Sequence, residues 1–484
     1  MRVLFALSMI NCRAKYHHGL GFLSAVLKEA GHETALLELY DLDWSHVDET
    51  IKAFQPDLFA ATAESHQVVY IKRLFDHVSA TYPHVPCILG GVHVTMVPNQ
   101  IFQFPKLLGV CVGEAEGPLL ELVTRMEAGK DFYDIPNFTF RRNGETISNP
   151  YSYYVQNLDT VPYSDRRMFK RFRDAKRGVP LRWHPRFIFS RGCPYDCSYC
   201  GCTGLRAVFP NKKEYVRAPS PTWCIGQVER DLQEYTFDTF VIDDDLFTIN
   251  KKWLLELANH YPEHLKRVNF MVNGRVETID REVLEALKDM GCSLIQVGVE
   301  TGDEDLRTHI LKRRMKDRQI IEVFELARKV GIPMHSFNMV GVPGETRETM
   351  RKTLAFNRRI KPARAQISIF YPYRGTALGD ECFEKKLVTG HYDNYFAHSV
   401  IKNDLLSEAE IVRFVKYFHV RLYACYAPGL AWRALKDVVR RSATYSRVRA
   451  AWRALATTVR HPAYAWAAVV KERNPRLLYS RSVR

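Results

Sequence analysis

Along the first 125 residues, short and wholly apolar runs alternate with longer stretches of helical period. Residues 3–10 form a compact apolar run. Residues 19–30 place Leu20, Leu23 and Leu27 on one helical face, with Gly31 as a stop. Residues 34–39 and 58–62 read as strands and 68–78 as a helix. Residues 87–89 end in Gly90-Gly91, and residues 107–112 lead to Gly113 and a helix from Glu116. Five buried strands separated by helices predict an α/β fold, a doubly wound parallel sheet of Rossmann or flavodoxin type, over residues 1–130. A ligand on such a sheet lies beyond the carboxyl ends of the strands, here residues 8–11, 62–66, 90–95 and 113–117.

Residues 131–185 read as a connector, with a hairpin signal at Asn143-Gly144 and four prolines (Pro150, Pro162, Pro180, Pro185). Strand-like runs then return at 187–190, 239–243, 269–272, 294–299, 335–340 and 366–370, each pair separated by a helix-length stretch. Six such units over residues 186–400 predict a partial (β/α)6 TIM-type barrel with its site at the C-terminal strand ends. Residues 401–484 carry helical patterns and form a basic C-terminal region.

Composition adds limits. A chain of 484 residues suits two or three domains, and 46% hydrophobic with 25% charged residues excludes a disordered chain. The net charge is +15, but residues 431–484 hold 13 basic residues against 2 acidic ones, leaving +4 for the rest. The basicity belongs to the tail, which argues against nucleic acid as a partner of the whole protein. Within it Ala431-Trp-Arg-Ala-Leu recurs at 451–455; Trp432, Leu435 and Val439 share one helical face, as do Trp452, Leu455 and Val459. Such a face reads first as a pair of capping or dimerising helices; it also suits an anionic membrane surface, and a nucleic-acid patch would look similar. The longest apolar run, residues 463–470, is far short of the ~18 residues of a spanning helix. The expected location is cytoplasmic, with peripheral membrane contact through the tail as a further expectation.

Eleven cysteines are present, and four of them, Cys193, Cys197, Cys200 and Cys202, lie within ten residues. The spacing Cys193-xxx-Cys197-xx-Cys200 on a loop lets three thiolates converge on one inorganic site. Three ligands to a cubane of four irons leave one iron for a small molecule; thiolate-rich ligation suits iron–sulfur or zinc. A structural zinc site would need Cys202 as fourth ligand and usually a second, separated knuckle, which the sequence lacks.

The segment Arg191-Gly-Cys193-Pro-Tyr-Asp-Cys197-Ser-Tyr199-Cys200 resembles the radical S-adenosylmethionine (radical SAM) superfamily, and the resemblance runs through most of residues 187–375. Its later marks are Asp243-Asp244-Asp245, Asn273-Gly-Arg275, Gly298-Val-Glu300-Thr-Gly302 and Gly341-Val-Pro-Gly344-Glu345. The resemblance implies a 4Fe–4S cluster on Cys193, Cys197 and Cys200. It implies S-adenosyl-L-methionine contacts from Tyr199, Asp243, Asp244, Arg275, Glu300 and Gly341. Reductive cleavage of that sulfonium would give a 5′-deoxyadenosyl radical, with electrons from an external flavodoxin- or ferredoxin-type reductant.

The first domain resembles the cobalamin-binding module that precedes the radical domain in one branch of that superfamily. The matching stretches are Tyr16-His17-His18-Gly19-Leu-Gly21, Gly90-Gly91-Val-His93-Val-Thr95 and Gly113-Glu114-Ala-Glu116-Gly117. They imply cobalamin contacts from His17, Gly19, Gly90, Gly91, His93, Thr95, Gly113 and Glu114. The DxHxxG motif whose His ligates cobalt from below is absent, and His17, His18 and His93 read as hydrogen-bonding groups. Two other readings are a flavodoxin-like domain without ligand and a methylthiotransferase with a second cluster on Cys12, Cys87 and Cys111; the latter's spacings fit poorly. What the whole resemblance implies is an enzyme methylating an unactivated carbon of a small-molecule or lipid-like substrate through the adenosyl radical and methylcobalamin. A cyclase or rearrangement enzyme without methyl transfer is the alternative, and a non-catalytic cobalamin sensor the different-class one.

Overall fold

Two sheets carry the chain in a computed structural model that describes residues 1–10, 16–99, 104, 106–390 and 398–440. Residues 1–412 form one compact unit and residues 413–484 a second. The first sheet opens with β1 (Arg2–Ser8), β2 (Glu33–Leu39), β3 (Leu58–Thr62), β4 (Cys87–Gly90) and β5 (Gly109–Cys111), all parallel. Helices α1 (His18–Glu29), α2 (Trp44–Phe54), α3 (Val68–Thr81), α4 (Val92–Met96) and α5 (Glu116–Glu127) connect and follow them. The strand order β2-β1-β3-β4-β5 reverses between β1 and β3, which makes the doubly wound crevice open at that point. Alternate residues decide the two faces. Val3, Phe5 and Leu7 pack with α1 and α5, whereas Leu4, Ala6, Phe59 and Ala61 pack with α2 and α3.

The stretch read as a connector does more than connect. Its hairpin, β6 (Phe138–Arg142) and β7 (Glu145–Ser148), adds two antiparallel strands to the first sheet. Asn143 and Gly144 both take positive φ (51° and 87°), as a two-residue turn of this hand requires. Met168 and Phe169, just before α6 (Lys170–Arg173), and Phe172 within it lie in the same apolar core as β1 and the outer faces of the second sheet. Residues of both sheets therefore share one apolar core.

The second sheet is parallel and six-stranded, in the order β13-β12-β11-β10-β9-β8. Its strands are β8 (Arg186–Phe187), β9 (Thr239–Ile242), β10 (Asn269–Gly274), β11 (Cys292–Glu300), β12 (Met334–Val340) and β13 (Arg364–Ile369). No bond joins β13 to β8, so the barrel is partial. Between them run α7 (Gly201–Val208), α8 (Pro221–Glu234), α9 (Lys251–His260), α10 (Arg281–Asp289), α11 (Asp317–Val330) and α12 (Arg347–Ile360), with α13 (Ala377–Glu384) after β13. Ser220, Asn250, Asp280 and Thr346 cap their helices by accepting a backbone N–H, so each strand-to-helix turn is fixed locally. On β11, Ile295, Val297 and Val299 enter the helix-side core. Val241, Met271 and Leu294 make a small apolar layer of their own on the opposite, concave face. The polar residues Asn273, Gln296 and Glu300 share that face, half-buried.

Helix α14 (Glu408–Tyr423) is followed by α15 (Pro428–Arg440), on which Trp432 is 58% exposed and Val439 47% exposed. No helix among the described residues is long and apolar enough to cross a membrane. The repeat at 451–455 with Trp452, Leu455 and Val459, and Cys12 of the second-cluster alternative, lie outside the described residues.

Candidate active site

The cysteine loop is aimed by a buried carboxylate. Asp244, just past β9, accepts the backbone N–H of Phe189 at 2.7 Å and of Ser190 at 2.9 Å, and also the Ser190 hydroxyl. Burial pushes its carboxyl up to about 7 against these three donors, which pull it down. Gly192 follows at φ 89°, where a Cβ would stand 2.4 Å from the Tyr215 carbonyl oxygen, so no other residue passes. Cys193, Cys197 and Cys200 follow on this loop; burial pushes the Cys193 thiol up, and the charges of Cys200, Asp245 and Cys197 add to it. The far side of the loop is pinned at Ser198. Its N–H donates to Leu311 O (3.1 Å), its hydroxyl to Ile310 O (2.6 Å), and its carbonyl accepts from Leu378 N (2.8 Å).

Two guanidinium groups reach the middle thiol. Arg275, just past β10, points Nη1 at Cys197 Sγ from 3.2 Å, and Arg313 points Nη1 at it from 3.6 Å. Arg275 is held by Glu277 at 2.6 Å and lies over the Tyr195 ring at 3.7 Å. Arg313 donates Nε to Gly298 O at 3.0 Å. The loop carrying Arg313 follows a π-helical turn, Leu306–Ile310. It is organised by fully buried Arg307, which donates to Met315 O (2.9 Å) and Thr301 O (2.7 Å) and pairs with Asp317. Beside it, β11 ends in a register shift against β12, and Glu300 adopts φ 66°. A non-glycine residue held there costs of order 1–3 kcal/mol and marks a site the surroundings over-determine. The Glu300 carboxyl is raised by burial, while Arg313 and the Tyr199 hydroxyl pull it back. Gly298 leaves room for this carboxyl and for Arg313, since a Cβ there would run into Glu300 Oε1 and lie 2.8 Å from Arg313 Nη2.

The strand-end loops of the first sheet come up against this loop. Helix α4 packs on α7, which starts directly after Cys200, and the packing closes over three glycines. A Cβ on Gly204 would lie 3.1 Å from the Met96 side chain, one on Gly375 2.6 Å from Met96 O, and one on Gly201 3.5 Å from Met96 Sδ. Glu114 and Glu116, past β5, pair with Arg191 at 3.2 and 2.6 Å, two residues before Cys193. Arg217 also grips Glu114, as does the Val155 N–H at 2.7 Å. Beside α1, His18 meets Asp243 at 3.0 Å. Deeper in, Gly91 (φ 100°) lies against Thr62 and Ala63, and Thr95 ties Gly91 O (2.9 Å) to Gly113 N (3.0 Å). His17 accepts from Leu20 N and faces Thr62, and His93 Nδ1 faces Ser65 at 3.0 Å. Above Gly90 the nearest atom to a would-be Cβ is 3.9 Å away, a bare stretch of backbone that a broad ligand can approach.

Comparison with known proteins decides what this pair of loop sets is. Residues 187–356 match the radical SAM superfamily model and residues 8–123 the B12 binding domain model. The chain belongs to the cobalamin-binding branch of the radical SAM superfamily. It is 25% identical to an uncharacterized methyltransferase of Pyrococcus horikoshii over 84% of this chain and 87% of that one. An anaerobic magnesium-protoporphyrin IX monomethyl ester cyclase of Rubrivivax gelatinosus is 22% identical over 85% of this chain and 75% of that one. The hopanoid C-3 methylase of Methylococcus capsulatus is 22% identical over 87% and 78%. Among solved structures, the radical SAM methyltransferase TsrM of Kitasatospora setae superposes with a TM-score of 0.63 at 19% identity, covering 79% of this chain and 76% of that one. The last likeness is one of fold.

This radical SAM enzyme uses a 4Fe–4S cluster, S-adenosyl-L-methionine and cobalamin. Its residues fit the first of these. Two buried cations on one thiol would be costly around a neutral S–H and are suited to an anionic cluster.

Several residues expected to touch cofactors are committed elsewhere. Asp244 is fully buried beneath the cysteine loop and positions it; it is not open to a ligand. The Asp243 carboxylate is taken by His18 and Arg186, a pairing that closes the edge of the barrel. Glu114 is saturated by two arginines and a backbone N–H. Arg275 faces Cys197, and the Gly341 N–H donates to Glu345. Gly19 is the second residue of α1, its would-be Cβ 3.3 Å from the ring of the capping His17. Sequence reasoning missed Arg313 and Arg191. Arg313 sits in Lys312-Arg313-Arg314, which reads as a solvated basic run, and only the fold turns its middle member inward.

Proposed function

We propose that the enzyme methylates an unactivated carbon of a small-molecule or lipid-like substrate. The observation that carries this reading is the contact of the two loop sets, α4 on α7 and Glu114 and Glu116 on Arg191, which lets cobalt and cluster serve one cavity. In this reading Cys193, Cys197 and Cys200 hold the cluster, and Tyr199 with Glu300 faces the sulfonium cofactor on the concave face of β11. Gly90, Gly91, Thr95, Gly113 and His93 shape the floor beneath cobalamin. When bound, cluster and S-adenosyl-L-methionine supply the 5′-deoxyadenosyl radical and cobalamin relays the methyl group. The protein's own part is placement: the ion pairs at Arg191 fix the spacing between the two loop sets, and burial of the cysteine loop keeps water away.

A flavodoxin- or ferredoxin-type donor supplies the electron. Three of the relatives named above are methyltransferases or methylases by description, and the cyclase keeps a second outcome in play. The deciding experiment feeds methyl-labelled methionine to a strain lacking the gene and to its parent. A metabolite carrying the label only in the parent supports methyl transfer; a product that differs without carrying label supports cyclisation or rearrangement. Exposed Trp432 and Val439 on basic α15 favour peripheral contact with an anionic membrane, tested by liposome co-sedimentation with and without residues 428–484.

A further inference from the structure

The three cysteines of the loop do not share one electrostatic setting. Cys197 has the two guanidinium groups, from 3.2 and 3.6 Å. Both arginines are more than nine-tenths buried and each is fixed by partners of its own, Glu277 and Tyr195 for one and Gly298 O for the other. Their N–H groups therefore cannot swing away when the thiolate charge changes. The elements that place them are separate: the end of β10 for Arg275, and the loop braced by Arg307 for Arg313.

We infer that Arg275 and Arg313 are tuning residues that set the reduction potential of the cluster through Cys197, by donating charge-assisted hydrogen bonds to its sulfur. The inference rests on the cluster assignment made above. The physical reason is simple. Adding one electron to the cluster adds one negative charge, and fixed positive charge at a ligating sulfur stabilises the reduced state more than the oxidised one, which raises the potential. In a water-poor setting such bonds are stronger than at a surface. Neither arginine needs to touch the sulfonium cofactor to act.

The test uses anaerobically reconstituted full-length protein and four variants, Arg275→Gln, Arg313→Gln, Arg275→Lys and Arg313→Lys. Iron and sulfide content, and the potential of the cluster followed by electron paramagnetic resonance in a redox titration without S-adenosyl-L-methionine, are measured for each. Each Gln variant is expected to keep its iron and to show about a tenfold lower reduced-to-oxidised ratio at a fixed ambient potential, ~59 mV for a one-electron couple. The Lys variants, which keep the charge and lose the fork, should recover part of the shift. Should a Gln variant lose its iron, the corresponding Lys variant carries the test, and a potential equal to wild type in both Lys variants and the surviving Gln variant overturns the inference. Unchanged potentials with weakened cofactor affinity would likewise overturn it and make the arginines carboxylate binders. Absence of any cluster in the wild-type protein is a separate failure, that of the cluster assignment.

Discussion

The two sets of strand ends that meet in this molecule are made of different material. Those of the first sheet present glycines and neutral hydrogen-bonding side chains, Gly90, Gly91, Thr62, Ser65, His93 and Thr95, tied to one another and to the backbone. Those of the second present charges, Arg275 paired with Glu277, Arg313 near the Glu300 carboxyl and bonded to Gly298 O, and a buried Asp244 below. A broad ligand held over bare backbone asks for space and short polar anchors. A compact anionic centre asks for fixed charge. The difference teaches that one crevice was shaped by exclusion of side chains and the other by electrostatics, so substitutions should break them in different ways.

The largest effect is expected at the cysteines. Cys193→Ala, Cys197→Ala or Cys200→Ala should remove the iron–sulfur absorption and all reductive cleavage of S-adenosyl-L-methionine, whereas wild type reconstitutes to ~4 irons with corrinoid bound independently. Cys202→Ala should retain both properties. Loss of metal only when Cys202 is changed would instead mean a four-thiolate zinc site.

The hinge between the two sets comes next. Arg166 and Asp231 are an ion pair at 2.7 Å, both nearly inaccessible, and Arg166 lies between the rings of Tyr16 at 4.2 Å and Phe187 at 4.6 Å. One ring comes from the first domain and the other from β8. Asp231→Ala leaves that guanidinium buried without its carboxylate, and should cost about 3–5 kcal/mol in denaturant unfolding. A loss below ~1 kcal/mol would show that water or another carboxylate reaches the site.

How much of this could be read from the chain alone follows the same division. Apolar runs disclosed the parallel strands of both sheets, because burial on a parallel sheet leaves a continuous hydrophobic signature. Asn143-Gly144 disclosed its hairpin, though not that the hairpin joins the first sheet, since edge pairing depends on where β5 ends. The thiol spacing was equally plain. Charged residues were not. Asp243, Asp244 and Asp245 look alike in sequence and meet three fates, an edge pairing with His18 and Arg186, a buried brace under the cysteine loop, and a place beside the thiols. Their roles depend on partners far off in the chain, 225 residues away for the contact of His18 and Asp243.

A pH effect is expected at Glu345. It is fully buried past β12, one oxygen accepts the Gly341 N–H and the other has no partner, and burial raises its carboxyl to about 8. A raised folded value means the neutral form is favoured in the fold. Its contribution to stability is therefore fully present below the ordinary value of 4.5 and is lost as pH rises through about 8. Between those limits wild type should lose up to about 1.4 kcal/mol per pH unit relative to Glu345→Gln. Parallel pH profiles for the two proteins would refute the assignment.

The glycine pair offers the finest cut between shape and charge. At Gly91, with φ 100°, a Cβ would stand 2.4 Å from Thr62 Oγ1 and 2.9 Å from Ala63 N, so Gly91→Ala should cost about 1–3 kcal/mol and distort the crevice. Gly90 is different: its φ is not positive and its would-be Cβ meets nothing nearer than 3.9 Å. Gly90→Ala should therefore change unfolding stability by less than ~0.5 kcal/mol. If cobalamin rests on that backbone, the same methyl group must stand in its way, and corrinoid retained through gel filtration should fall severalfold while iron content stays put. Stability and corrinoid both unchanged would mean that the ligand does not approach Gly90, and the floor of the crevice would have to be sought around Gly113 and Thr95. A melting transition that drops with the corrinoid would mean that the space above Gly90 is filled by the protein itself.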